Sequence, residues 1–231
     1  MTHIDYSPKA IEKLFDEMSK TYGFVNLLSS FGFTVFWRLR VAKVLNCRNA
    51  VVADFMSGCG EIGAGIVKDV KVLYCVDYSA NMMAKAKESL GSHAHVQFHL
   101  EDGTATSIAS ASVDCVSCSF GLKTLDRNGM VRLFKEFHRV LKHGGTASVL
   151  EFTVPRHAML RIPFMVYVRY IVPLIGRVFL GNPDNYRQLW AYTNAFTESG
   201  MLPDVADDGT WTMIERSYFF GSAIHYIATK K

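Results

Sequence analysis

Charge is scarce in this 231-residue chain: only 20% of residues are Asp, Glu, Lys or Arg, and the formal balance is +4. So small an excess excludes a dedicated nucleic-acid binder, which needs a strongly basic face. Proline is rare, at six residues, and the 17 glycines follow no period, which excludes collagen-like and low-complexity classes. The cysteines Cys47, Cys59, Cys75, Cys115 and Cys118 are odd in number and too few for a disulfide scaffold. No uninterrupted apolar run reaches the ~20 residues of a bilayer span. The polar, acidic start MTHIDYSPKAIEKLFDEM is unlike a secretory leader. A cytoplasmic location is expected. What the chain does have is apolar surface to bury: 49% hydrophobic and 13% aromatic residues exclude disorder. The length suits a single embellished domain.

The first 45 residues carry a helical pattern, with Ile11, Leu14, Phe15 and Met18 at three- and four-residue spacing and a second stretch from Phe33 to Leu45. From residue 50 strands and helices alternate. Strands are predicted at 50–56, 71–78, 95–102, 113–120 and 146–154. Helices are predicted at 61–68, 81–90 (capped by Ser79, ended by Gly91) and 128–142, with His143-Gly144-Gly145 as a stop. This rhythm is that of an open parallel α/β sheet covered on both faces. Residues 155–200 read as helices and loops. The runs WTMIERSYFF and SAIHYIATKK, joined at Gly221-Ser222, form an antiparallel hairpin. Cys115 and Cys118 spell CxxC but lie in an apolar strand, where residues three apart face opposite ways, so no metal or redox pair is expected.

The turn after the first strand is Asp54-Phe-Met-Ser-Gly58-Cys-Gly60-Glu-Ile-Gly63. Two readings fit. Gly58-x-Gly60-x-x-Gly63 is a dinucleotide fingerprint, with Asp77 placed as a ribose-binding acid. The same residues also spell D-x-x-x-G-x-G, a turn that seats S-adenosylmethionine. Asp77, followed by Tyr78, serves the ribose in either case. Asp102-Gly103 after the third strand offers a carboxylate to an adenine amine, and the terminal hairpin fits a methyltransferase sheet. Both favour S-adenosylmethionine over NAD. Methyl transfer from a sulfonium needs no metal, and none is expected; the protein must align the acceptor and exclude water.

The chain resembles the ubiquinone/menaquinone C-methyltransferase family of class I S-adenosylmethionine-dependent methyltransferases over nearly its whole length. The resemblance is carried by Phe15-Asp16, Tyr22, Asn26 to Gly32, Trp37-Arg38, Ser119-Phe120-Gly121-Leu122, Arg139 to Lys142 with Gly144-Gly145, Leu150-Glu151-Phe152, Val172 to Arg177 and Asp184-x-Tyr186-x-x-Leu189. It implies a Rossmann-like seven-stranded sheet, parallel with a C-terminal antiparallel hairpin, and a helical cap. One domain results: a cap at 1–48, a cofactor-binding core at 49–154, a helical lid at 155–200 and the hairpin at 201–231. It further implies C-methylation of a quinol-like or other aromatic or isoprenoid acceptor. O- or N-methylation of another natural product, or use of the cofactor without methyl transfer, are the alternatives. Implied cofactor-binding residues are Asp54, Gly58, Gly60, Asp77, Tyr78, Asp102, Gly103 and Ser119; the candidate catalytic residues are Tyr186 and Tyr22, which carry the resemblance, and Lys123, which does not but stands just past the fourth strand.

Two departures stand out. Ser57, with Met56 beside it, replaces the first of two tandem glycines, and Lys123-Thr124 replaces an Arg-Asn pair thought to orient or deprotonate the quinol. Lysine is a point charge without the planar fork of arginine. Lys123 is either a cation at the acceptor oxygen or a surface lysine on a loop, and Glu151 is either functional or structural. Residues 152–183 contain no acid but four arginines, Arg156, Arg161, Arg169 and Arg177. Such a segment suits a lid over a greasy acceptor or a peripheral contact with the inner membrane surface; a packing cap or a homodimer interface would share the composition. The arginines, with Pro163 and Pro173, argue against a spanning helix.

Overall fold

The computed structural model describes residues 4–30, 32–45, 47–155, 157–178, 182–198 and 209–231. Phe31, Arg156 and the approach to the hairpin at 199–208 lie outside the described residues. Seven strands form one sheet in the order β3-β2-β1-β4-β5-β7-β6: β1 (Val51–Phe55), β2 (Val72–Asp77), β3 (Val96–Leu100), β4 (Val113–Ser119), β5 (Leu141–Phe152), β6 (Trp211–Tyr218) and β7 (Ala223–Lys230). The first five are parallel; β7 inserts antiparallel between β5 and β6. The sequence of β1 and β2 outward to β3 and then back to β4 puts a topological switch at the carboxyl ends of β1 and β4, where such sheets bind ligands.

Both faces are covered. Helix α6 (Arg127–Val140) lays Met130, Leu133, Phe134 and Phe137 on one, and α3 (Phe33–Leu45) with α4 (Glu61–Ile66) covers the other through Trp37, Val41, Ile62 and Ile66. Cys115 and Cys118 fall in different clusters, on opposite faces, as expected of one strand.

The helix predicted over 128–142 ends earlier, at Val140, and β5 begins at Leu141 rather than residue 146. Gly144-Gly145 do not terminate anything. Gly144 takes φ +75°, and the strand passes through it with a register shift opposite Val113 and Cys115. Gly145 has backbone of Lys142 and Asp114 within 3.0 Å of where a Cβ would sit, so a side chain is excluded there.

The cap begins with α1 (Pro8–Met18), where Ser7 caps Ala10 N–H and Pro8 occupies the first turn. Then come α2 (Tyr22–Ser29), a helix that the sequence pattern did not separate, and α3. Asp16 ties α1 to α5 (Ala80–Leu90) by accepting from Ser79 Oγ at 2.5 Å and Asn81 N–H at 3.2 Å. The residues after β5 form α7 (Ala158–Val166), a π-helical turn (Tyr167–Ile171) and α8 (Val172–Val178), one continuous helical rod, followed by α9 (Pro183–Glu198). By length and composition alone Met159–Val178 is long enough to cross a membrane, despite its two prolines. Tyr22, Val25, Tyr186 and Tyr192 knit cap and lid into a third apolar cluster.

Candidate active site

Strand β1 delivers Asp54 to the bottom of a narrow cleft, 1% exposed, where Ser117 Oγ donates to its Oδ1 at 2.6 Å. Burial pushes this carboxyl up to about 7. The chain then turns through Met56 (φ +54°) and Gly58 (φ +54°) to Gly60 (φ +77°). At Gly60 a Cβ would sit 2.8 Å from a methyl of Leu90, so this glycine seats the turn on α5. Asp77, the last residue of β2, accepts from Gly58 N–H at 2.8 Å and Ser79 N–H at 2.9 Å. Burial raises its pKa and those backbone donors oppose the shift. The carboxylate keeps acceptor capacity for a ligand hydroxyl.

Asp54, Gly58, Asp77, Tyr78 and Ser119 all line the cleft. Three other expected cofactor residues do not. Gly60 lies beneath the turn, Asp102 is exposed two residues beyond β3 and accepts from Thr104 N–H, and Gly103 is packed near the Phe55 ring. Arg38, which carries the resemblance without an implied site role, and Glu61 line it too. Arg38 reaches from α3, pairs with Glu61 at 3.1 Å and stands 5.3 Å from the centroid of the Phe120 ring. Only the fold joins residues so far apart in the chain.

A larger cavity of about 400 Å³ adjoins the cleft, with Tyr22 and Phe120 lining both. Its walls are aromatic: Phe33 and Trp37 from α3, Phe152 after Glu151, Phe164 and Tyr167 from the helical rod, and Trp190 from α9. Tyr186 joins them, its hydroxyl 3.0 Å from Thr21 Oγ1 and its ring against Gly176, where a Cβ would lie 2.5 Å away. Burial raises the pKa of both Tyr22 and Tyr186, so neither is a phenolate.

Lys123 is not a surface lysine. It is 5% exposed and lines the cavity; its Nζ donates to Glu151 Oε1 at 2.8 Å and to Phe120 O at 2.5 Å, while its N–H donates to Glu151 Oε2 at 3.0 Å. Glu151 is wholly buried. Two of three ammonium protons are thus engaged, and one remains.

The site also carries unmet hydrogen-bonding capacity. Among the described residues, five buried side-chain polar atoms have no partner: Arg38 Nε, Asp54 Oδ2, Ser57 Oγ, Ser119 Oγ and Trp37 Nε1. The first four belong to residues lining the cleft and the fifth to a residue lining the cavity. Buried polar atoms elsewhere are satisfied as a rule, so this concentration marks where ligand atoms belong. The donors, acceptors and charges fit S-adenosylmethionine: a diol at Asp77, and a zwitterion between acidic Asp54 or Glu61 and basic Arg38. The free space in the cleft is only about 40 Å³, its walls including Phe15, Tyr22, Met56 and Met82. Seating a nucleoside therefore requires these side chains to swing, which unbranched methionines do readily.

The comparisons agree with this geometry. The model of the ubiE/COQ5 methyltransferase family matches residues 3–230. A demethylmenaquinone methyltransferase from Chlorobaculum parvum is 29% identical over 97% of this chain and 94% of its own. A ubiquinone/menaquinone biosynthesis C-methyltransferase from Rubrivivax gelatinosus is 27% identical over 95% and 86%. Among solved structures, a SAM-dependent methyltransferase from Thermotoga maritima superposes with TM-score 0.62 at 16% identity, covering 95% of this chain and 99% of that one. One from Methanococcus maripaludis gives 0.61 at 17%, covering 100% and 96%; at such identities the likeness speaks for the fold. With the switch-point cleft and a match from end to end, the chain belongs to the ubiE/COQ5 methyltransferase family and is an S-adenosylmethionine-dependent methyltransferase.

Proposed function

We propose that this enzyme methylates a ring carbon of a prenylated quinol, the acceptor class named for its relatives. The observation that carries the reading is the aromatic cavity of about 400 Å³ that shares Tyr22 and Phe120 with the cofactor cleft and holds a buried ammonium, Lys123. Flat aromatic walls suit a ring, and their apolar surface suits its isoprenoid tail.

S-Adenosylmethionine, when bound, supplies a methyl group already activated by its sulfonium. Asp77 holds the ribose. Asp54, with its free Oδ2, and Ser57 receive the ammonium of the amino-acid end, and Arg38 its carboxylate. Tyr22 and Phe120 form the partition across which the acceptor carbon is aligned. Lys123 donates its remaining N–H as a hydrogen bond to the acceptor's hydroxyl oxygen and stabilises the phenolate left when that hydroxyl gives its proton to solvent, so that the neighbouring carbon is nucleophilic. Glu151 keeps that ammonium in place. Trp37 Nε1–H is a second donor toward acceptor oxygens. Among the described residues no group of three metal-ligating side chains is present.

The test is incubation of methyl-labelled cofactor with a chemically reduced, short-chain prenyl naphthoquinol and a prenyl benzoquinol. Label on a ring carbon of either supports the reading. Label on oxygen, or none on both quinols while the protein still binds cofactor, overturns it.

A further inference from the structure

Nine of the chain's 25 Lys and Arg fall within two segments, 18–53 and 152–183, and none of its 21 Asp and Glu does. The rest of the chain is net negative, sixteen cations against 21 anions. In space these acid-free segments are the two halves of the cap: α2 packs on α8 and on α3, and the hairpin tip joins α3 where the Phe33 and Phe219 rings stand 4.0 Å apart.

The helical rod has two faces. Pro163, Phe164, Tyr167, Val168 and Val172 wall the cavity. On the other side Met159, Ile162, Val166, Tyr170, Leu174 and Val178, at helical spacing, are all at least half exposed, Ile162 by 69% and Leu174 by 54%. Arg161, Arg169 and Arg177 are exposed along the same rod. Leu28, Phe36 and Leu39 continue the apolar surface on α2 and α3, with Arg40 over the Phe36 ring at 4.8 Å. Phe219 and Phe220 line the cavity while 53% and 74% exposed, so they stand at its mouth.

We propose that this face of the cap docks flat on an anionic lipid bilayer, with the acceptor cavity opening into the acyl region so that a lipid acceptor passes in without crossing water. Apolar side chains interleaved with arginines and free of acids match a negatively charged interface. A spanning arrangement is disfavoured: three arginines are spread through the rod, and one of its faces is already committed to the cavity wall. The access route rests on the quinol reading above; the docking does not.

The experiment is co-sedimentation of the full chain with vesicles of phosphatidylcholine, with and without phosphatidylglycerol. The wild type is compared with I162E/L174E and with R161Q/R169Q/R177Q, all at exposed positions outside the cavity lining. Thermal unfolding and calorimetry with S-adenosylhomocysteine verify that each variant folds and binds cofactor. Expected is binding to the anionic vesicles that weakens with salt, a tenfold or greater loss in the arginine variant, and loss at every salt concentration in the glutamate variant. No binding by the wild type, or equal binding by all three, overturns the proposal. So does a stable dimer that I162E/L174E dissolves, since a second copy would then cover the face. Vesicle binding without quinol methylation would refute the acceptor and leave docking intact; methylation in detergent without vesicle binding would do the reverse.

Discussion

Replacing Asp54 by asparagine should stabilise the ligand-free protein and cripple it as a cofactor binder. The carboxyl is wholly enclosed and titrates near 7 instead of 3.8, because burial opposes its ionised form more than Ser117 favours it. A group raised in the folded state contributes its stability below the unfolded value and loses it as pH climbs through the folded one. Near 1.36 kcal/mol per pH unit, a gap of about three units amounts to roughly 4 kcal/mol, lost between about pH 4 and 7 and flat above. Asparagine keeps an acceptor for Ser117 Oγ and carries no charge, but its amide N–H lacks a partner, which costs about 1–3 kcal/mol. Urea titrations of both proteins without cofactor should therefore show the Asp54→Asn variant gaining on wild type by about 3 kcal/mol between pH 5 and 8, ending level with or above it. At pH 8 its affinity for S-adenosylmethionine should fall about tenfold or more, as for a hydrogen bond to a charged group. A stability difference that does not change with pH would refute the argument, for it would mean Asp54 titrates alike in both states.

Asp77→Ala should weaken cofactor binding by about 1.5–3 kcal/mol in calorimetry, the cost of losing a charged acceptor for the ribose hydroxyls. Arg38→Gln should lower affinity for S-adenosylhomocysteine about tenfold but leave methylthioadenosine, which lacks the amino-acid end, unchanged; equal losses would remove Arg38 from that role. Lys123→Met should cost about 3–5 kcal/mol in chemical unfolding by stranding Glu151, and adding Glu151→Gln should recover much of that. Gly176→Ala should destabilise by about 1–3 kcal/mol through collision with the Tyr186 ring, and a Tyr186→Leu background should relieve it.

Much of this was legible in the chain because it depends on local chemistry. Ser79 caps α5, strand-end carboxylates sit where apolar runs stop, and the hairpin is announced by two β-rich runs around Gly221-Ser222. Gly144-Gly145 misled because a glycine pair usually breaks structure; here backbone of Asp114 in the neighbouring strand demands it inside one. The burial of Lys123 was equally hidden: its partner lies 28 residues on, at the end of the adjacent strand, and only sheet register brings them together. Arg38 belonged to a stretch read only as helical, Phe33 to Leu45, which said nothing of the catalytic end of the sheet. Asp102, also a strand-end acid, is exposed and accepts from Thr104 N–H of its own loop, a local arrangement that an apolar run ending in an acid does not announce.

The π-helical turn at Tyr167–Ile171 has a consequence for how such an enzyme diversifies. A wide turn of this kind is the trace of one extra residue in a helix. Removing a single codon there would restore regular winding while α7 and α8 kept their present faces, because the wide turn absorbs the one residue that would otherwise swivel α8 by about 100°. The rod that walls the greasy chamber can thus gain or lose a residue there without exchanging its inward and outward positions, and with the sheet and its nucleoside seat untouched.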